Sequence, residues 1–503
     1  MRTVRRLLLG ASISALGLLG AQGAYAAAAP PAPVGHVFVI VLENKTFADT
    51  FGPTGRVMAP YLNNTLVPQG ELLTHYYGIG HNSADNYIAM VSGQPPTPSS
   101  KNDCPGDLPK PVAPTTTGAY GIATSDGCMY PSNFLTIADQ LTAKGLTWRG
   151  YNSGYPTSPA CSMAHDNGHY ARKHNPWVFF QSLHDSGQCA ANVVGMDQLQ
   201  TDLGSVATTP NLAYVVPDQC EDAHDNCTGP LPSNPIIDDQ YALQQADAFL
   251  GVWVPRILNS PAFKQDGLLV ITFDESVGDS TACCGEQPGP AAPAPGSYDD
   301  HEPAALAPGG GITGTVLISP FISPGSDSPT GLHANDTDYN HYSLLRSMED
   351  LFGIGEHLGY AAPDSVVPFG SDVFDRIPAG APATAARPAG ACSAAPRTQF
   401  RALSAASALR IAGSSSSPCG NAVHVVQAAV ARRAGGRCSW AGFGGRLGRS
   451  ASCARPFWLY AGTGSGWRLT LPRLAHGRYV VQVRAIDASG RREAIRSTAV
   501  TVR

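Results

Sequence analysis

Residues 35–44 read GHVFVIVLEN. From His36 to Leu42 the chain is a continuous apolar run rich in β-branched residues, and it stops on a carboxylate and an amide, Glu43 and Asn44. Such a run predicts a strand buried on both faces. Three similar runs follow, LAYVV at 212–216, LLVITF at 268–273 and GTVLI at 314–318. Helix-period segments lie between and after them. SNFLTIADQLTAKG at 132–145 begins on a capping Ser132, carries apolar residues at 134, 135, 137, 138 and 141, and stops at Gly145. Residues 239–259 and 341–352 repeat the helical period. The alternation predicts an α/β protein, a doubly wound sheet with helices on both faces.

The chain changes character at both ends. Of its 503 residues, 1–26 carry three arginines and no acid: MRTVRR, an apolar stretch, then Ala24-Tyr25-Ala26. That is the layout of a cleaved signal peptide, and the apolar stretch is too short to span a membrane. No later stretch is long and apolar enough to span either, so the expectation is an exported protein, periplasmic or extracellular, with no transmembrane segment after cleavage. Residues 27–394 hold 13 Lys and Arg against 36 Asp and Glu, whereas 395–503 hold 17 arginines, one Asp and one Glu. Residues 377–396 are a Pro/Ala-rich linker. Beyond it, YVVQVRA at 479–485 and STAVTVR at 497–503 alternate around a DASG turn, which predicts a small all-β sandwich, Ig-like, over 397–503. The expected domains are therefore a leader (1–26), a catalytic body (34–376), a linker (377–396) and a basic sandwich (397–503).

All 12 cysteines follow the leader, which in an exported protein favours disulfides over metal thiolates. Cys220 with Cys227 and Cys104 with Cys128 suit local staples. Cys392, Cys419, Cys438 and Cys453 are expected to pair within the tail. The adjacent Cys283-Cys284 fits no simple reading, and connectivity stays open.

In open α/β sheets ligands bind beyond the carboxyl ends of the strands. Glu43 and Asn44 follow the first strand, and Asp274 and Glu275 follow LLVITF. If those ends adjoin, they form an oxygen-rich site for a divalent cation, Mg, Ca, Mn or Zn. In GHNSADNYIAMVSG at 80–93, Ser83 stands at a helix start, where free N–H groups and the helix dipole suit a phosphate. A serine touching a metal there can act as nucleophile. His174 in YARKHNP, His224 in CEDAHDNC and His341 in YNHYSLL can each hold a phosphoryl oxygen or protonate a leaving group. His81, His165, His169, His333 and His357 read as structural or exposed, with His301 in DDHEP a lesser candidate.

Together, GHVFVIVLENKTFADTFG, GHNSADNYIAMVSG, YARKHNP, CEDAHDNC, ITFDES and HYSLLRSMEDLFG, in this order over about residues 35–370, resemble the bacterial phosphoesterase family. That family includes secreted acid phosphatases and phosphoinositide phosphatases, has phospholipases C as more distant members, and belongs to the alkaline phosphatase superfamily. The resemblance implies an alkaline-phosphatase-like sheet and a metal site of Glu43, Asn44, Asp274 and Glu275. It implies Ser83 as nucleophile, and His174, His224, His341 and Asn86 as phosphate-binding groups, with His224 and His341 also serving the leaving group. HNSADNY departs from the HPSxPNY of close relatives but keeps the serine, the asparagine and the tyrosine. The Asp-Glu pair replaces Asp-Asp in some members, which makes Glu275 a more distant ligand. The Pro/Gly-rich insertion at 279–311 bears on specificity.

The expected activity is phosphomonoester hydrolysis through a phosphoserine. A phospholipase C or other phosphodiesterase on the same site is the alternative, and a secreted binding or adhesion protein is the alternative of another class. No sulfatase core, no G-x-S-x-G elbow and no HExxH motif occurs. The arginine-rich tail can meet an anionic surface or lipid, and no motif points to specific nucleic-acid binding.

Overall fold

The computed structural model describes residues 32–502 apart from 107–108, 114–117, 157–160, 162–167, 228–234, 293–308, 326–332 and 377–394, with short breaks in the tail at 406–407, 419–422, 435, 442–446, 454–455, 457–458, 463–465, 473 and 488–492. The expected leader, most of the linker, Cys392, Cys419, His165 and His301 lie outside the described residues.

The main sheet has eight strands. They are β1 (His36–Leu42), β2 (Glu71–Leu73), β3 (Trp148–Asn152), β4 (Val193–Gly195), β5 (Leu212–Val216), β6 (Gly267–Phe273), β7 (Thr315–Ile318) and β8 (His333–Asn335). Their order across the sheet is β4-β3-β5-β1-β6-β7-β2-β8. β1 lies at the centre, parallel to both neighbours, with Ile40 opposite Val215 on one side and Ile271 on the other. The four apolar runs are all strands. β7, however, runs antiparallel to β6 and β2. A continuous apolar run reports burial on both faces and carries no information about direction.

Alternation along β1 divides the core. Val37, Val39 and Val41 pack with Tyr87 and Ile88 of α1 (Ser83–Ser92) and with Leu344 and Leu345. Phe38, Ile40 and Leu42 face the other way, toward Leu243, Phe249 and Leu250. α2 (Ile137–Lys144), α3 (Pro235–Asn259) and α4 (His341–Leu351) complete the cover. Each large apolar side chain buried in this way contributes about 1.5–3 kcal/mol. α2 begins later than expected. Thr136 caps it and forms a reciprocal capping box with Asp139, while Ser132 donates to Asp185 at 2.7 Å. Thr136 has the carboxylate three residues on that a capping box requires, and Ser132 does not.

After the linker, Arg397–Ala405, Ala408–Ser416 and Gly466–Leu471 form one antiparallel sheet. A second sheet contains Val423–Ala434, Arg437–Ala441, Leu447–Ser452, Leu459–Gly462, Gly477–Asp487 and Arg496–Val502. Ile411, Trp467, Val426, Val481 and Val483 share one core between them, so the expected all-β C-terminal sheets are present. Cys104–Cys128 and Cys220–Cys227 are bonded, as are Cys161–Cys189 and Cys438–Cys453. The adjacent Cys283 and Cys284 are bonded to each other.

Candidate active site

The carboxyl ends of β1 and β6 are tied by backbone hydrogen bonds. The N–H of Asp274 donates to Leu42 O at 2.9 Å, and that of Lys45 to Glu275 O at 3.1 Å. A third segment joins them where the N–H of Glu43 donates to Asp222 O at 2.7 Å. Asn44 stands at φ 46, a left-handed conformation that asparagine tolerates, and this bend lets its N–H donate to Oδ1 of Asp274 at 3.0 Å. α1 points its N-terminus at this junction. Ser83 is its first residue, with Asn82 before it at φ 75. Ser83 Oγ donates to Glu43 Oε2 at 2.9 Å and lies 3.2 Å from His174 Nε2. The hydroxyl of Tyr87, one turn along α1, donates to the other Glu43 oxygen at 2.5 Å. His174 stacks on Tyr87 and brings Nδ1 to 3.4 Å from Asp222 Oδ2.

Glu43, Ser83, His174, Asp222 and Asp274 are all essentially sealed from solvent. Burial holds the Glu43 carboxyl well above the usual range, and repulsion from Asp274 and Asp222 adds to it. Burial likewise raises Asp222, with Asp274 a further cause, and raises Asp274 despite the N–H donors of Asn44 and Glu275. Burial, then the charges of Lys173 and His224, push His174 well below its ordinary value. A neutral imidazole follows, so its 3.4 Å approach to Glu43 Oε1 is a contact rather than an ion pair. Lys173 lowers Glu43 and Asp274, and its Nζ lies 3.2 Å from Asp103.

Buried carboxylates outnumber nearby cations, and four polar atoms of the cluster, two of them carboxylate oxygens, have no hydrogen-bond partner among the described residues. These are Asn44 Oδ1, Asp222 Oδ2, Asp274 Oδ2 and His174 Nδ1. Glu43, His174 and Asp222 each offer a ligand atom within 4.8 Å of the others. Unpartnered buried acceptors are expensive unless a cation completes them, so this donor set fits a divalent metal. Two other groupings, Cys161/His184/Cys189 and His169/Cys220/Cys227, contain disulfide sulfurs and offer no thiolate.

The sequence profile described as the Phosphoesterase family matches residues 56–355, more than half of the chain. The chain belongs to the phosphoesterase family. An acid phosphatase of Aspergillus fumigatus is 24% identical to it, over 66% of this chain and 60% of that protein. A phosphatidylinositol-3-phosphatase of Mycobacterium tuberculosis is also 24% identical, over 65% of this chain and 79% of its own. This phosphoesterase thus spans 60% of the length of the Aspergillus relative and 53% of a Penicillium chrysogenum phosphate-repressible acid phosphatase. Among solved structures, a Vibrio parahaemolyticus protein of the alkaline phosphatase superfamily is similar at a TM-score of 0.40. It has 13% identity and covers 77% of this chain and 79% of that one.

In this phosphoesterase, Ser83, Glu43, Asn44, Asp274 and His174 come together, and His224 lies half-buried at the rim, its ring centroid 6.4 Å from that of His174 and its Nδ1 on Asp225. The structure gives three of the expected site residues other partners. His341 is buried with both ring nitrogens engaged, Nε2 with Asp274 O at 2.5 Å and Nδ1 with the Tyr76 hydroxyl at 3.1 Å, leaving neither for a phosphoryl oxygen. It braces the end of β6 instead. Asn86 spends its carbonyl on the N–H groups of Ile79 and Gly80 and its amide on Gly80 O and Asn82 O, so it shapes the loop before Ser83. Glu275 is paired with His81 Nδ1, which separates it from the open acceptors of Asp274 and gives His81 a place beside the site. Asp222 was missed. It stands two residues before His224 in CEDAHDNC and closes the carboxylate cluster, and the signal was the acid in a block already singled out.

Proposed function

We propose that this phosphoesterase is a metal-dependent phosphomonoesterase of the acid phosphatase type, with Ser83 as nucleophile. The observation that carries the reading is the position of Ser83 Oγ at a helix N-terminus, 2.9 Å from Glu43 and 3.2 Å from His174, beside unpartnered carboxylate oxygens. Glu43, Asn44, Asp222, Asp274 and His174 would hold the divalent cation, with Mg, Ca, Mn and Zn all compatible with the donors. A cation there supplies positive charge that offsets a serine alkoxide and a phosphoryl oxygen.

The hydroxyl proton of Ser83 has the Glu43 carboxylate as its acceptor in reach, since His174 holding the cation through Nδ1 would carry its own proton on Nε2. As the proton leaves, Oγ forms its bond to phosphorus and the ester oxygen departs in line. The departing alkoxide takes a proton at the rim, where His224 is the available donor. Water then attacks the phosphoserine, His224 takes the water's proton, phosphate leaves and Ser83 regains its hydroxyl. The positive end of the α1 dipole would face the transferring phosphoryl group, while the Ala84 N–H is already given to Asp103 Oδ1 at 3.1 Å. The test is Ser83→Ala assayed on an aryl phosphate monoester and its diester with added divalent cation. The reading expects monoester turnover lost with the fold retained. Wild-type turnover in the variant would remove Ser83 from the chemistry, and a wild-type preference for the diester would favour the phosphodiesterase.

We also propose export, on the leader at 1–26, the disulfides, and the finding that no described helix is long and apolar enough to cross a membrane. The domain division at 34–376, 377–396 and 397–503 is likewise a proposal, as is tail contact with anionic surfaces. Arg397, Arg401 and Arg410 stand exposed on one tail sheet and Arg432, Arg433 and Arg437 on the other, which supports that contact.

A further inference from the structure

A cavity of about 350 Å³ opens between residues 119–122, the loop carrying Cys284 to Pro290, the start of α4 and the turn around Tyr360. No residue of the Ser83 cluster lines it. Glu286 does, and its buried carboxylate oxygens make no well-formed hydrogen bond among the described residues, although the Asn340 amide lies close enough to offset part of the cost of burial. The Tyr342 hydroxyl and Asn340 Nδ2, also on the wall, likewise make no well-formed hydrogen bond among the described residues. Asn340 uses its carbonyl to cap α4 at the N–H groups of Tyr342 and Ser343, 3.1 Å each. Tyr342 and Tyr360 stand at 84° with centroids 5.7 Å apart, forming two aromatic walls. The loop is held in place, since Tyr360 donates to Pro288 O at 3.2 Å and Cys283 Sγ lies 3.6 Å from Tyr339 O.

We propose that this cavity binds an organic ammonium ion, with Glu286 as counter-charge and the rings of Tyr342 and Tyr360 as walls. Ile122, Pro290, Pro363, Val366 and Cys284 add apolar lining, with Gln287 and Ser365 as further polar groups. An ammonium carrying alkyl groups needs one anion and apolar or π-rich surroundings, which this wall supplies. Among the described residues no cation is paired with Glu286. Burial is the main cause holding the Glu286 carboxyl well above its usual range. The Asn340 amide offsets this in part, the Asp85 charge adds to it and the Lys101 charge offsets it. Cation binding therefore drives deprotonation of Glu286 and releases a proton.

The experiment is calorimetric titration of the full chain with choline, its uncharged carbon isostere and myo-inositol, in buffers of different ionisation enthalpy. Expected are saturable choline binding with proton release, and binding at least about tenfold weaker for the isostere, for Glu286→Gln and for Tyr360→Leu. Glu286→Gln, which leaves the Tyr360 bond to Pro288 O intact, keeps wild-type thermal melting and turnover of an aryl phosphate. Equal binding of choline and the isostere, preference for inositol, choline affinity unchanged in Glu286→Gln, or no binding of any probe would each overturn the proposal.

Discussion

Ser83 Oγ donates to Glu43 Oε2 at 2.9 Å, so the N-terminus of one helix and the end of the central strand meet in a single hydrogen bond. Glu43 also accepts from Tyr87 at 2.5 Å, and His174 bridges the same two parts, 3.2 Å from Ser83 Oγ and 3.4 Å from Asp222 Oδ2. Glu43→Gln keeps the shape but leaves one carbonyl acceptor for the two hydroxyls and removes one charge. It should lower kcat on an aryl phosphate by roughly two to three orders of magnitude. Steady-state kinetics across a titration of added cation checks this. Full recovery at high cation would mean Glu43 serves metal affinity alone.

Asp222 separates the structural reading from the sequence reading. Its Oδ1 accepts the His224 N–H at 2.8 Å, and Oδ2 remains open beside His174. Asp222→Asn should weaken the activating cation by about 10- to 100-fold. Glu275→Gln, whose carboxylate is paired with His81, should weaken it much less. The cation concentration giving half-maximal activity in each variant is the measurement, and equal losses would return Glu275 to the ligand set.

His341→Asn distinguishes bracing from phosphate binding. The Asp274 carbonyl would lose a buried donor, which costs about 1–3 kcal/mol. The expected result is a lower melting temperature with KM unchanged in the folded fraction. A large rise in KM for phosphate esters, or weaker inhibition by inorganic phosphate, without loss of stability would restore His341 to the phosphate site.

What was legible in the sequence follows from the range of the forces involved. The strands at 36–42, 212–216, 268–273 and 314–318 could be read because burial on both faces writes itself into consecutive residues. The strand-end placement of Glu43, Asn44 and Asp274 followed from the same pattern. The direction of β7 did not, because pairing is set by partners far away in sequence. In CEDAHDNC, spacing cannot tell whether the acid or the histidine turns inward, and the loop between Cys220 and Cys227 turns Asp222 in and leaves His224 at the rim. His341 and Asn86 looked like ligands because their residue types allow it. Tyr76, Asp274 O and the N–H groups of Ile79 and Gly80 had already taken their capacity, and only the fold reveals those partners.

Removing the cation should cost stability as well as activity. Glu43, Asp222 and Asp274 repel one another while buried, and a bound divalent ion offsets that repulsion. A chelator should abolish phosphate release and lower the melting temperature. At cation concentrations near 100 times its dissociation constant, the stabilisation is about 2.7 kcal/mol. Parallel activity and calorimetric scans with chelator, then with Mg, Ca, Mn or Zn restored, test both halves. Activity unaffected by chelation would remove the metal from the mechanism.

Glu349 on α4 gives a prediction independent of the chemistry. It is fully buried, with Oε1 accepting the Leu358 N–H at 2.9 Å. Burial, with help from the Asp350 charge, raises its carboxyl from 4.5 to about 8. In the unfolded chain it ionises near its ordinary value, so between pH 4.5 and about 8 the folded state holds a proton that the unfolded state has lost. Stability then falls as pH rises through that window, by roughly 1.4 kcal/mol per pH unit from this group. Glu349→Gln keeps the acceptor for Leu358 and cannot ionise. It should match the wild type in melting temperature at pH 4 and exceed it at pH 8. Melting curves for both proteins across that range decide it, because other raised acids such as Glu71 and Asp139 contribute equally to the two and cancel in the difference. Identical pH profiles would mean that Glu349 ionises in the folded protein as readily as in the unfolded one.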